Sequence, residues 1–158
     1  MSSYISKLYK NAIKAENEVV KASINENRPS NWFYGEYTEG NCKYDFLTEG
    51  HVLIAFTFDT FVLNKAMFET RNKVLNIAQS LDITIELSYK PAQLVGTKNV
   101  DKDVYCILQT ETGEEILFNK KYQKYFTDDV EYRVYDNKSP IKIYNGNVFM
   151  GIIMPVCI

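Results

Sequence analysis

Residues 130–155, VEYRVYDNKSPIKIYNGNVFMGIIMP, contain three strand-like segments separated by two turn signals. The segments cover residues 130–135, 140–144 and 148–155. Residues 136–138 separate the first two segments, and Asn145-Gly146 lies between the last two. An Asn-Gly pair is typical of a tight hairpin because both residues tolerate a positive φ. The stretch therefore predicts an antiparallel meander that closes the domain.

A similar unit of one helix and three strands is predicted at the other end of the chain. Apolar residues recur at three- and four-residue steps over residues 4–22, which predicts an amphipathic helix. Strands are then predicted at residues 32–37, 42–47 and 51–58. The closing meander also follows a short predicted helix, residues 119–126. Two such units would lay two helices side by side on one face of a continuous antiparallel sheet, an α+β fold.

The middle of the chain, residues 59–113, does not fit this duplicated scheme. A second amphipathic helix is predicted at residues 64–80 and a strand at residues 83–87. Residues 91–103 mix Pro, Gly, Asn and charged residues, which predicts a loop. Two further strands, 104–108 and 115–118, flank a turn. We expect residues 59–113 to be a helix-containing insertion or a divergent middle of a single domain, residues 1–158.

Composition favours one ordinary globular domain in the cytoplasm. The 158 residues are 46% apolar and 24% charged, and no apolar run is long enough to cross a membrane. The N-terminus has no apolar signal core, which is the reason for expecting a cytoplasmic protein. The three cysteines, Cys42, Cys106 and Cys157, are widely spaced and odd in number, so we expect buried reduced thiols.

Lysines form a stripe on each of the two paired helices. A helix advances roughly 100° per residue, which places four lysines within an arc of about 60° opposite the apolar residues. These are Lys7, Lys10, Lys14 and Lys21. The helix 119–126 repeats the arrangement with Lys120, Lys121 and Lys124. A lysine row is also typical of a solvated helix face, but two rows on one sheet face would suit sequence-independent contact with phosphates.

The C-terminal segment resembles the last half-domain of the bacterial DNA sliding clamp, the β subunit of the replicative polymerase. The similarity is carried by a strand ending in Phe-Asn, a short helix, a Ser-Pro strand and a final strand ending in Met-Pro. The matching residues are Glu115-Ile116-Leu117-Phe118-Asn119, Tyr122, Asp136, Ser139-Pro140-Ile141, Ile143 and Ile152-Ile153-Met154-Pro155-Val156.

A second stretch, residues 34–53, is similar to the clamp's strand–turn–strand that ends in Thr-Asp-Gly-His-Arg-Leu. Here the turn reads Thr48-Glu49-Gly50-His51-Val52-Leu53. Glu49 replaces the Asp and Val52 replaces the Arg, so the turn is preserved and one charge is lost. The two stretches together cover roughly 70 residues.

The resemblance implies a clamp-like domain in which two helices pack on one face of a curved antiparallel sheet and line a channel around duplex DNA. It also implies a hydrophobic groove that receives short peptides from polymerases and other clamp-binding proteins. The matching groove residues are Thr48, Gly50, His51, Val52, Leu53, Ile152, Ile153, Met154, Pro155 and Val156. An alternative reading makes Val52, Leu53, Ile152 and Ile153 ordinary core residues.

Three functions remain open from the sequence. A single clamp-like domain needs a homo-oligomer to form a ring around DNA. A phage or mobile-element protein that keeps the clamp fold would bind partner peptides without encircling DNA. A domain of unrelated function is the third possibility, because fold does not fix function.

Enzymatic chemistry is not expected. The chain has one histidine, His51, no Gly-rich phosphate loop and no cysteine spacing suited to zinc. We therefore expect no catalytic residue, no metal ligand and no cofactor. The acidic pairs of the chain, such as Asp128-Asp129, lie in predicted turns and are interpreted as solvated charges.

Overall fold

The computed structural model describes residues 10, 12–21, 32–39, 42–56, 89–127, 129–146 and 148–157. Within these residues the fold is α+β, with one α-helix, one 3-10 helix and a single antiparallel sheet of nine strands. The predicted helix 64–80 and strand 83–87 lie outside the described residues. No helix in the described residues is long and apolar enough to cross a membrane.

The helical segments are α1, residues 12–21, and the 3-10 helix Lys120–Tyr125. Lys10, just before α1, is also helical. The strands are β1 (Phe33–Glu39), β2 (Cys42–Thr48), β3 (Val52–Phe56), β4 (Lys90–Val100), β5 (Asp103–Thr110), β6 (Glu115–Asn119), β7 (Glu131–Val134), β8 (Ile141–Asn145) and β9 (Val148–Ile153).

The strand order is β1-β2-β3-β9-β8-β7-β4-β5-β6, and all pairs are antiparallel. The predicted meanders, β1-β2-β3 and β7-β8-β9, are therefore joined through their last strands. Val52 pairs with Ile153, and Leu53 pairs with Ile152. Each meander follows one helical segment in the chain, so the continuous sheet expected from the duplicated layout is confirmed.

One face of the sheet carries the main hydrophobic core together with both helical segments. Ala12, Ala15 and Val19 of α1 belong to the same buried cluster as Tyr122 and Tyr125 of the 3-10 helix. Sheet residues of this face also belong to the cluster, among them Leu47, Ile54, Ile143, Leu108 and Phe118. Alternate residues on the opposite face are buried as well, namely Phe46, Leu53, Ala55 and Ile152.

The prediction of a loop at residues 91–103 is wrong. These residues form β4 and its turn, and β4 pairs with β5 from Ala92 to Val100. Pro91, Gly96 and Asn99 disfavour a strand locally, but the long partner strand supplies hydrogen bonds that outweigh this preference. A β-bulge between Leu94 and Gly96 absorbs the irregularity. Part of the predicted middle segment is therefore integral to the sheet.

The sheet curves back on itself without closing. Val156, just beyond β9, forms a single antiparallel bridge with Leu117 of the edge strand β6. The Val156 backbone N–H donates to the Leu117 carbonyl at 2.9 Å. Four strands, β8, β7, β4 and β5, separate β9 from β6 in the sheet order. A contact between the two ends of this series requires pronounced curvature, which the right-handed twist of the strands favours.

Candidate functional site

The first half of the candidate site is the exposed side of α1. Ala12, Ala15 and Val19 are at most 5% exposed and pack into the core. Lys10, Lys14 and Lys21 are exposed on the helix. This separation follows from the 3.6-residue period, which sends residues three or four apart to the same side. Lys7, predicted to belong to the same row, lies outside the described residues.

The second half is the 3-10 helix Lys120–Tyr125. Asn119 caps its start, because the Asn119 Oδ1 accepts a hydrogen bond from the Lys121 backbone N–H at 3.0 Å. Tyr122 and Tyr125 are buried beneath the helix, whereas Lys120, Lys121 and Lys124 are exposed. The sequence predicted this division correctly, although a 3-10 helix replaces the ordinary helical turn.

The two helical segments lie next to each other. The Lys14 Nζ donates a hydrogen bond to the Phe126 carbonyl, immediately after the 3-10 helix, at 3.4 Å. The Phe126 ring covers Gly151 on the core face of the sheet. Six exposed lysines of the two segments thus share one region, which we call the lysine surface: Lys10, Lys14, Lys21, Lys120, Lys121 and Lys124.

The positive charge of the lysine surface is only slightly offset. Glu18 lies 3.7 Å from the Lys21 Nζ, and this is the one ion pair of the surface within the described ranges. Lys121 and Lys124 have their ammonium groups 5.1 and 5.3 Å from the ring centroids of the neighbouring Tyr122 and Tyr125. Such cation–π contacts orient a lysine without neutralising its charge. The surface can therefore attract anions.

The exposed side of α1 also borders a shallow groove of about 360 Å³. Its lining comprises Lys10, Ile13, Lys14, Asn17, Glu18 and Lys21. Ile13 is 46% exposed and lies among the lysines. The groove is open and is bordered mainly by charged side chains, so it can accept an extended anionic surface more readily than a small enclosed ligand.

The second candidate site is the contact between the His51 turn and the end of β9, which we call the C-terminal junction. The Met154 backbone N–H donates to the His51 carbonyl at 2.8 Å. The two segments that the resemblance assigned to opposite groove walls are therefore in direct contact. The His51 ring stacks on Tyr122 of the 3-10 helix, with centroids 6.3 Å apart. The junction thus adjoins the lysine surface.

The turn itself is held by side-chain hydrogen bonds. The Thr48 hydroxyl donates to the Val52 carbonyl at 2.7 Å and accepts from the Gly50 backbone N–H at 3.1 Å. The Glu49 Oε1 accepts from the backbone N–H groups of His51 and Val52 at 2.6 and 3.0 Å. The Glu49 carboxylate therefore organises the backbone of this turn.

Burial divides the predicted groove residues into two groups. Thr48, Val52, Leu53, Ile152 and Ile153 are at most 2% exposed, so their side chains belong to the interior. β3 runs between β2 and β9 in the middle of the sheet, and both of its faces are covered. The accessible residues are Gly50 and His51 on one side and the half-buried Met154, Pro155 and Val156 on the other.

A buried tyrosine, Tyr34, contacts two carboxylates in the described ranges. No group of three or more His, Cys, Asp or Glu side chains there is arranged to hold a metal ion. The Tyr34 hydroxyl contacts the carboxylates of Asp45 and Glu36. Burial, reinforced by these carboxylates, holds the pKa of Tyr34 far above its ordinary value. Tyr34 is thus a protonated hydrogen-bond donor that ties β1 to β2.

The two described cysteines differ in exposure. Cys106 is fully buried, as predicted, whereas Cys157 is exposed, so the prediction of a buried thiol is wrong for Cys157. Cys157 follows the last strand pairing of the tail, and no strand among the described residues pairs with it. The side chain of Cys42 lies outside the described part of the chain.

Iodoacetamide is expected to label Cys157 and to leave Cys106 unmodified in the native protein. Burial raises the pKa of the Cys106 thiol, which lowers its thiolate fraction as well as its access to reagent. Peptide mass mapping after brief treatment at pH 8 measures both sites. The same treatment in denaturant should label both, and native labelling of Cys106 before Cys157 would contradict the assigned burial.

Sequence reasoning missed one feature of functional interest, a cleft where β4 separates from β7. Its lining includes Leu94, Gln123, Val130, Tyr132 and Arg133. No local sequence signal marks this cleft, because it lies where two strands distant along the chain pair briefly and then diverge. Comparison of the chain with protein-family models, with curated proteins and with solved structures gave no match.

Proposed function

We propose that this protein is a non-enzymatic, sliding-clamp-like protein that contacts duplex DNA through the lysine surface without reading its sequence. The observation that carries the proposal is the adjacency of the two lysine rows, marked by the contact between Lys14 and Phe126. Lysine ammonium groups act as point charges toward phosphates and give affinity without base readout. No arginine belongs to the surface, which agrees with contact that is independent of sequence.

The dimensions of the lysine surface suit a nucleic-acid backbone. Lys10 and Lys21 are eleven residues apart, which is about 16 Å along a helix axis. Along the axis of a DNA duplex, this distance corresponds to a rise of roughly five base pairs. The neighbouring row on the 3-10 helix widens the surface, so that a backbone can be contacted at several points. The overall charge of −2 makes this local concentration of lysines more distinctive.

Salt titration of duplex DNA binding tests the proposal. If all six lysines contact phosphates, the logarithm of the affinity should fall against the logarithm of the salt concentration with a slope of about −5. Two duplexes of unrelated sequence should give the same affinity and slope. Fluorescence anisotropy with labelled duplexes measures both quantities. Absence of binding at low salt, or strong preference for one sequence, would contradict the proposal.

The C-terminal junction supports a second candidate function, docking of peptides from polymerases or other clamp-binding proteins. The observation that favours it is the direct contact between the His51 turn and Met154, which leaves His51 and Met154–Val156 accessible side by side. A fluorescent clamp-binding peptide should show increased anisotropy that is reduced by His51→Ala. No anisotropy change with the wild-type protein would remove this function.

The outcomes of these two titrations distinguish the alternatives. DNA binding with a closed oligomer in light scattering would support a clamp that encircles DNA. Peptide binding without DNA binding would instead favour a phage or mobile-element protein that competes for the partners of a host clamp. Absence of both DNA binding and peptide binding would favour a function unrelated to replication.

A further inference from the structure

The β4–β5 hairpin contains an edge that the proposed function does not use. β4 is eleven residues long, but it pairs with β7 only from Lys90 to Ala92. Beyond Ala92 the two strands diverge, while β4 continues to pair with β5 on its other side. Every residue from Gln93 to Asn99 is exposed. This seven-residue edge, about 23 Å long, therefore presents main-chain groups that no described strand pairs.

The edge also carries two exposed apolar side chains, those of Leu94 and Val95. Leu94 is 43% exposed and Val95 is 54% exposed, the two largest exposed aliphatic values within the sheet residues described. Between Leu94 and β7 lies a cleft of about 850 Å³. Val130 and Tyr132 lie on its far side, and Gln93 and Gln123 contribute amide groups. A cleft of this volume is in the usual range for bound ligands.

We propose that the β4 edge, residues Gln93–Asn99, binds an extended segment of a partner protein by strand addition. The occupant is specified by the geometry, because an unpaired strand edge beside an open cleft offers hydrogen bonds to a chain in the extended conformation. Its apolar side chains would contact Leu94 and Val130. A carboxylate in the partner would pair with Lys98, which is exposed and forms no ion pair within the described ranges.

A second copy of this chain is a poorer occupant of the same edge. The β-bulge at Leu94–Gly96 and the charge of Lys98 are features that discourage a strand from pairing with an identical strand. Seven residues from each copy would also bury less surface than a stable dimer needs, unless other elements contributed.

The test is selection of random ten-residue peptides displayed on phage, with the full-length protein as target. Enriched peptides should bind Leu94→Asp at least ten-fold more weakly than the wild type, and should contain apolar residues with at least one acidic residue. Val104→Asp is the matched control, because Val104 is also exposed on this hairpin but lies on β5. Peptide binding should be unchanged in this control.

Hydrogen exchange locates the bound peptide. Among residues 93–99, the amides that point away from β5 should become protected in the complex, and those of the His51 turn should not. The proposal is overturned if no peptide is enriched, if enriched peptides bind wild type and Leu94→Asp equally, or if protection maps to another element. Sedimentation showing a concentration-dependent dimer with residues 93–99 protected in the absence of peptide would also overturn it, in favour of a second copy.

Discussion

Reversing the charge of Lys14 and Lys121 together, as Lys14→Glu with Lys121→Glu, is expected to weaken duplex DNA binding roughly 100-fold at low salt. One residue comes from each row of the lysine surface, so the variant replaces two attractive charges by two repulsive ones. The salt dependence should also become shallower, because fewer counterions are released. Anisotropy titrations of wild type and variant at several salt concentrations measure both effects.

The matched control changes two lysines of the β4–β5 hairpin, Lys98→Glu with Lys102→Glu. Both are exposed and neither belongs to the lysine surface, so the net charge of the protein changes by the same amount as in the test variant. The control should bind DNA within about two-fold to three-fold of the wild type. Equal weakening of both variants would show that total charge, and not the lysine surface, determines binding.

Gly151→Ala is expected to destabilise the fold by about 3 kcal/mol or more. Gly151 has a φ of +149°, which residues with a Cβ rarely adopt. A Cβ there would clash with the Leu53 carbonyl oxygen and would lie 3.0 Å from the Phe126 ring. Gly151 pairs with both Ile54 and Ile143 in the middle of the sheet, so the backbone has little room to adjust. Urea denaturation followed by circular dichroism measures the loss.

Gly96→Ala is the appropriate comparison for this stability measurement. Gly96 also lies in a strand, but a Cβ at that position would have no heavy atom within 4 Å. The free energy of unfolding of the Gly96→Ala variant should differ from that of the wild type by less than about 1 kcal/mol. A Gly151→Ala protein as stable as the wild type would mean that β9 neither approaches Leu53 nor packs against Phe126 as described. The attachment of the 3-10 helix to the sheet would then need revision.

The strands at both ends of the chain could be predicted because their turns are encoded locally. Asn145-Gly146 and the Thr48–Gly50 segment contain residues that favour turns, and the segments between turns have the expected apolar content. The core side of α1 could be predicted for a similar reason, since its period alone separates Ala12, Ala15 and Val19 from the lysines. These parts of the fold depend on interactions between residues that are close in sequence.

β4 could not be predicted because its strand conformation depends on residues distant along the chain. Pro91 and Gly96 disfavour a strand when considered alone, and only the long pairing with β5 and the short pairing with β7 explain the result. Burial of the predicted groove residues was equally dependent on tertiary structure. Val52 and Leu53 point to opposite faces of β3, and both are buried because β3 is an interior strand covered on both faces.

The candidate site also combines features that the sequence could predict with features that depend on tertiary structure. The sequence indicated which lysines share a helix face, since that depends on helical period. It could not give the contact between Lys14 and Phe126, because this depends on the pairing of β3 with β9 and on the packing of Phe126 over Gly151. The open cleft beside β4 was likewise hidden, because it exists only where two strands distant in sequence pair briefly and then diverge.

Lysine footprinting tests the central claim most directly. Brief acetylation of the protein, with and without excess duplex DNA at low salt, is followed by mass mapping of each lysine. DNA should protect Lys10, Lys14, Lys21, Lys120, Lys121 and Lys124, while Lys98 and Lys102 remain as reactive as in the free protein. Protection of Lys98 and Lys102 with the lysine surface still reactive would contradict the assignment of DNA binding to the two adjacent helical segments.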